Sequence, residues 1–345
     1  MKIKSLLTCM MVSLVTILPL QAQVGKEMKA FRNKDGITVT MLNPSLYSLY
    51  KQSDLSLPAE EALKDIKEII MHIVFLIAAC VSILAVALIC IFLFANGLPA
   101  IAKIGPTAFL TGMKWKPMNE IFGIFPMIVG SIYVTAGAII VGVPIGILCA
   151  VFMARFCPKK LYPVLKPAIE LMAGIPSIVY GFFGLVVIVP IIQHLTGTSG
   201  KGVLTASILL GIMILPTIIG VSESAIRAVP ESYYEGALAL GDTHERSVFC
   251  AVLPAAKSGI MAGVILGVGR AIGETMAVIM VAGNQPVIPG SLLAGVRTMT
   301  ANIVLEMGYA AGLHREALIA TGVVLFVFIL IINLLFSLIK KGESK

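Results

Sequence analysis

Long apolar runs alternate with short polar stretches along almost the whole chain, and each run is of membrane-spanning length. Ile69 to Ala95 contains only His72 as a titratable group and predicts a first transmembrane helix, since about 20 apolar residues cross a bilayer. Ile121 to Ala154 predicts a second, kinked where Pro126 and Pro144 fall, with a short interfacial turn before it. Val164 to Ile192, broken at Ile175-Pro176-Ser177, predicts a third, and Val203 to Ser222 a fourth. Ile260 to Ala282 and Ala317 to Ile339 complete six. Between the fourth and fifth runs lies a polar island, 223–259, far richer in charge than the spans beside it.

Composition agrees with this pattern. The 345 residues are 58% hydrophobic and 13% charged, and the mean hydropathy is +0.98. Soluble domains hold nearer 45–50% apolar residues, so the expected class is an all-α integral membrane protein. A net charge of +8 would point to nucleic acid in a soluble chain. Here it reflects Lys and Arg gathered on one membrane face, and no nucleic-acid partner is expected. The six cysteines show no metal-ligand spacing and His72, His194, His244 and His314 are scattered, so no metal site is expected. The cysteines read as packing residues.

Basic residues set the orientation. If the first helix leaves the cytoplasm, the cytoplasmic segments carry Arg155, Lys159, Lys160, Lys166, Arg227, Arg246, Lys257, Lys340, Lys341 and Lys345. The opposite face carries Lys103, Lys114, Lys116, Lys201, Arg297 and Arg315. Ten against six follows the positive-inside tendency and puts the polar island in the cytoplasm.

Residues 1–23 pull the other way. Lys2 and Lys4, the apolar run Leu6 to Leu20, and Ala22 before Gln23 have the form of a secretory leader. Exporting residues 24–68 would swap every later loop to the other side. A start at Met28, Met41 or Met71, or a leader joined on from elsewhere, reconciles the two signals; a seventh span is the alternative. Residues 24–68, with turn signals at Asn33-Lys-Asp-Gly36 and Asn43-Pro44, are then an extension outside the core.

Within the island, Pro230 can open a helix, and Glu231 and Glu235 sit in its first turns, where the dipole favours negative charge. Gly241 permits the tight turn that ends it. Gly236, Ala237 and Ala239 leave one side smooth enough to enter a partner's groove, and Asp242, His244, Glu245 and Arg246 offer polar contacts. In the fifth run, Arg270 and Glu274 are expected one turn apart on the same face of the helix. Ionisable residues inside a span are costly and mark a packing pair or a path. Arg270 could present its fork to an oxyanion while Glu274 orients it or gates the path, with Thr275 beside them. Gly263, Gly267, Gly269 and Gly273 allow another helix backbone close. Ser177 and Tyr180 could line the path at the Pro176 break, or hydrogen-bond between helices. Trp115, between Lys114 and Lys116, looks like an interfacial anchor. Asn284 to Pro289 and Leu292 to Met307 form an external loop where a partner could dock.

Glu235-x-Ala237-x-x-x-Gly241, followed twelve residues later by Leu253-Pro254, resembles the conserved cytoplasmic loop of binding-protein-dependent ABC importers. It departs from that pattern at Gly236, where alanine is usual, and at Ala251, where a larger hydrophobe is. The string from Gly267 through Arg270, Glu274 and Thr275 to Val278 narrows the match, with Met172 to Gly184 and Gly211 to Pro216. Together they resemble the permease subunits of the phosphate ABC importer, closer to the PstC type than to its PstA partner, over about Ile69 to the C-terminus. The resemblance implies six helices, the last five (121–339) forming a type I importer permease core. It also implies a heterodimer with the second permease, a cytosolic ATPase dimer at the coupling helices and an extracytoplasmic phosphate-binding protein. Sulfate, molybdate or another oxyanion is the alternative cargo, and a membrane scaffold the alternative class. The chain carries no GxxxxGK[ST] loop, so ATP is expected on the partner ATPase and no cofactor here.

Overall fold

A computed structural model describes residues 29–33, 36–40 and 56–342. The leader-like residues 1–23 and the Asn43-Pro44 turn lie outside them. The chain divides into two units at Val86. The first holds an antiparallel hairpin, β1 (Lys29–Asn33) and β2 (Gly36–Thr40), which pairs Asn33 with Gly36 where the sequence carries its turn signal. It also holds the first part of helix α1 (Ser56–Ile104). From Ile69 to Ala95 that helix is almost wholly apolar, with Phe75, Leu76 and Ile83 exposed, as suits a span in lipid.

The second unit is a helical bundle with a small β element before its first complete span. A short helix, α2 (Pro106–Thr111), leads into β3 (Trp115–Lys116) and β4 (Ile121–Phe122), two paired strands in place of the expected interfacial turn. Helix α3 (Phe125–Val151) follows and runs on through a π turn, Phe152–Phe156. The third apolar run is two helices. Its first part is α4 (Tyr162–Gly174), separated by the Ile175-Pro176 break from α5 (Ser177–Phe183), which continues through a π turn at Gly184–Ile188 into α6 (Val189–Thr196). Proline disfavours the helical conformation of the residue before it, and Ile175 is extended at φ −68°, ψ 126°.

Helix α7 (Val203–Arg227) is the centre of the bundle. Helix α8 (Glu231–Ala239) crosses the polar island and ends at Gly241, whose φ of 93° is the left-handed conformation glycine adopts without strain. The fifth span begins earlier than its hydropathy suggests. It comprises α9 (His244–Ser247), capped by Thr243, a π turn at Val248–Val252, and α10 (Leu253–Gly273). It also stops earlier: Glu274 is extended and a separate short helix, α11 (Met276–Val281), takes up the rest of the run. Helices α12 (Met299–Met307) and α13 (Gly312–Gly342) close the unit.

Six helical stretches are long and apolar enough to cross a bilayer: Glu68–Ile104, Phe125–Phe156, Ser177–Thr196, Val203–Arg227, His244–Gly273 and Gly312–Leu335. Small residues bring α7 against both neighbours. A Cβ on Gly142 of α3 would lie 2.7 Å from the Gly211 carbonyl, and one on Gly267 of α10 would lie 2.8 Å from the Ile218 side chain. In lipid, where apolar burial drives little, such close backbone approach supplies the contact. Gly263 joins this seam, whereas Gly269 and Gly273 meet no neighbour.

Candidate functional site

Two breaks, at Pro176 and at Glu274, expose polar groups at the ends of candidate spans. At the first, Pro176 starts α5 and Ser177 stands half-buried in its first turn. Tyr180, one turn on, is buried, and its hydroxyl donates to the Met172 carbonyl at 2.9 Å. That carbonyl belongs to the last turn of α4 and also accepts from the Ile175 amide at 3.3 Å. Tyr180 therefore joins the two sides of the break, the hydrogen-bonding alternative of the two open to it. Its phenol also lies within electrostatic reach of Arg270.

At the second break, Arg270 occupies the last turn of α10 and Glu274 the residue after it. The two do not form an ion pair, because the helix ends between them. The Glu274 Oε1 instead accepts from the amides of Thr275 at 3.1 Å and Ala277 at 3.3 Å, satisfying amides at the start of α11. The Glu274 carbonyl accepts from the Thr300 hydroxyl at 3.1 Å, and Thr275 returns its own hydroxyl to Gly273 at 3.3 Å. Arg270 is left half-buried with one long contact, Nη1 to the Thr217 hydroxyl at 3.4 Å. A guanidinium offers five donors, so most of this one's have no acceptor among the described residues.

The polar island is a second candidate region. Glu231 pairs with Arg155 at 2.8 Å, while Glu235, Gly236 and Ala239 are exposed and Ala237 half-exposed. Sequence reasoning missed the apolar part of this surface: Tyr233 is 53% exposed and Leu240 90%. Exposed aromatic and aliphatic residues beside a smooth small-residue patch suit a partner's groove. Leu253 and Pro254 lie at the base, opening α10, with Leu253 against the buried cluster of Val248, Val252 and Ile226. The polar residues expected to reach a partner are engaged internally. Asp242 pairs with Arg246 at 3.0 Å, and the Tyr234 hydroxyl lies 2.7 Å from His244 Nδ1.

Two carboxylate clusters were not visible in the sequence. Near the C-terminal end of α7, Glu223 is 1% exposed and accepts from Tyr162 Oη at 2.7 Å, Lys166 Nζ at 2.7 Å and Arg227 Nε at 2.8 Å. At the opposite end of the bundle Glu306 is 6% exposed. Its Oε1 accepts from Arg297 at 2.6 Å, and its Oε2 lies 2.8 Å from both Trp115 Nε1 and His314 Nε2. Trp115 is thus a buried residue and no interfacial anchor, because its indole N–H has an acceptor inside the protein. Among the described residues no group of three His, Cys, Asp or Glu could hold a metal ion.

Residues 142–345 match the family described as binding-protein-dependent transport system inner membrane component. The chain is 39% identical over 275 residues to the probable ABC transporter permease protein YqgH of Bacillus subtilis, covering 76% of this chain and 89% of that one. It is 35% identical over 305 residues to the phosphate transport system permease protein PstC of Mesorhizobium japonicum, covering 80% and 93%. The probable PstC of Methanocaldococcus jannaschii is 33% identical over 287 residues, covering 76% and 90%. Among solved structures, the MetNI methionine ABC transporter in its native CY5 crystal form matches with a TM-score of 0.51 at 19% identity, over 67% of this chain and all of that one. A bacterial alginate ABC importer matches with 0.51 at 13% identity, over 76% and 95%. These two likenesses bear on the fold alone.

Proposed function

Because the chain belongs to the binding-protein-dependent transport system inner membrane component family, we propose that it is the phosphate-translocating permease subunit of an ATP-driven ABC importer. Its six spans place it in the inner membrane as a multi-pass protein. The observation that carries the cargo reading is Arg270, half-buried at a helix break with most of its donors unengaged. A buried cation without a carboxylate partner is costly unless an anion visits it. The relatives named as phosphate permeases support phosphate as that anion.

Glu274 adds a chemical preference. Phosphate at neutral pH carries a proton that can be donated to a carboxylate, whereas sulfate and molybdate carry none. Glu274 Oε2 is the acceptor such a proton would find. Arg270 would hold the oxyanion, Glu274 would select the protonated one, and Thr275, Ser177 and Tyr180 would line the way past the two breaks. Glu231, Glu235, Gly236, Ala237, Ala239 and Gly241 would form the coupling surface for a cytosolic ATPase dimer, set on the base made by Leu253 and Pro254. A second permease of the PstA type and an extracytoplasmic phosphate-binding protein complete the assembly. ATP would bind the ATPase subunits, with no cofactor in this chain.

Uptake of labelled phosphate by the importer reconstituted in proteoliposomes tests this reading. Arg270→Ala should lower uptake about 30-fold or more, the effect of losing roughly 2 kcal/mol from one charged contact. Normal uptake by an assembled Arg270→Ala importer refutes the role. Uptake of sulfate or molybdate in preference to phosphate refutes the cargo.

A further inference from the structure

Helix α4 is too short to cross a membrane: its 13 residues span about 20 Å. Both its ends are nevertheless fastened. Tyr162 and Lys166, at its start, donate to Glu223 of α7. Met172, in its last turn, accepts from Tyr180 across the Pro176 break. From Glu223 the connections run in the other direction too. Arg227 donates Nε to the same carboxylate, stacks 4.4 Å over the Tyr162 ring, and donates Nη2 to the Met153 carbonyl at 2.8 Å. Met153 lies in the π turn that ends α3, and so does Arg155, which pairs with Glu231 of α8 and lies 5.8 Å over the Tyr234 ring.

We propose that Glu223 is a positioning residue that transmits displacement of α8 to α4, and through α4 to the Pro176 break in the substrate path. The proposal rests on the transport reading above. Its physical basis is stiffness. A buried carboxylate holding three donors from two helices, one of which also holds a third element, cannot follow one of them without drawing the others. A push on α8 at Glu231 moves the Arg155 turn; the Met153 carbonyl carries Arg227 with it; Glu223 then carries Lys166 and Tyr162. Glu223 touches neither cargo path nor coupling surface, so its effect is on the ratio between hydrolysis and transport.

The test is phosphate imported per ATP hydrolysed, measured on the whole importer in proteoliposomes, with ATPase recruitment measured on the same preparation. Lys166→Met removes the charged one of the two bonds from α4 to Glu223 and leaves the Tyr162 and Arg227 bonds in place. Glu223→Gln keeps the shape and removes the charge. Both should assemble and hydrolyse ATP within about twofold of the unmodified protein while the import ratio falls about fivefold or more, and Lys166→Arg should restore at least about half of it. An unchanged ratio in Lys166→Met overturns the proposal, as does hydrolysis falling in step with uptake, or Lys166→Arg behaving like Lys166→Met. If Glu223→Gln fails to assemble, Lys166→Met and Lys166→Arg decide alone. The unmodified importer is first offered phosphate, sulfate and molybdate. Preference for another oxyanion would refute the phosphate reading and leave the ratio measurable with that ion.

Discussion

Arg270 and Arg297 are both half-buried arginines in the same bundle, yet their surroundings are opposite. Arg297 gives Nε to the Asn284 carbonyl at 2.9 Å and Nη1 to Asn302 and Glu306, and Glu306 is in turn held by Trp115 and His314. Arg270 has one long contact to a threonine. The first arrangement is built on an ion pair: Arg297 has one carboxylate and two neutral oxygens as acceptors, and Glu306 has three partners. The second is open, with the acceptor missing. A charge held by a carboxylate within the protein fixes the fold, and a charge without one keeps its capacity free, as the proposed role of Arg270 requires.

The largest effect expected from this contrast is on stability. Glu306→Ala strands Arg297 without its carboxylate and should cost about 3–5 kcal/mol, lowering the melting temperature of the purified protein by roughly 10 °C. Arg270→Ala should leave that temperature within about 2 °C, since it removes no strong internal partner. Equal melting losses in the two variants would erase the distinction. Trp115→Phe is the intermediate case. It takes one donor from Glu306 and leaves two, with an expected loss of about 1–3 kcal/mol by thermal unfolding.

The smallest effect concerns pH. Hydrogen bonding to Glu223 raises the Tyr162 and Lys166 pKa values above their ordinary 10.0 and 10.5. Each group is therefore held in its protonated form by the fold. The stabilisation is fully present below the ordinary values and is lost as pH rises through the raised ones. Melting temperature should fall above about pH 10, and less steeply in a Tyr162→Phe/Lys166→Met variant. Identical alkaline slopes would show that the cluster does not titrate with the fold.

The positions of the spans were legible because an apolar run of membrane length admits one structure whatever its neighbours. The Pro176 break was legible as well, since proline acts locally. The end of α10 at Gly273 was not. Nothing in Gly273-Glu274-Thr275 forbids a helix, and the break is held by the Glu274 carboxylate on the amides beyond it and by Thr300 from α12. Arg270 and Glu274 are therefore neighbours across a helix end, not a pair on one face. Glu306 and Trp115 meet across 191 positions, a separation at which spacing carries no signal. His314 looked isolated for the same reason. The exposed Leu240 and Tyr233 were overlooked because an apolar residue in a largely apolar chain attracts no notice until its surroundings are known.

The glycine seams on both sides of α7 have a consequence for how the bundle can move. Where Gly142 lies against the Gly211 carbonyl and Gly267 against Ile218, one partner in each contact has no side chain to change rotamer. Such seams offer few alternative registers and little elastic give, so α3, α7 and α10 share their degrees of freedom as one block. Relative movement is then left to segments outside these seams, among them the breaks at Pro176 and at Glu274.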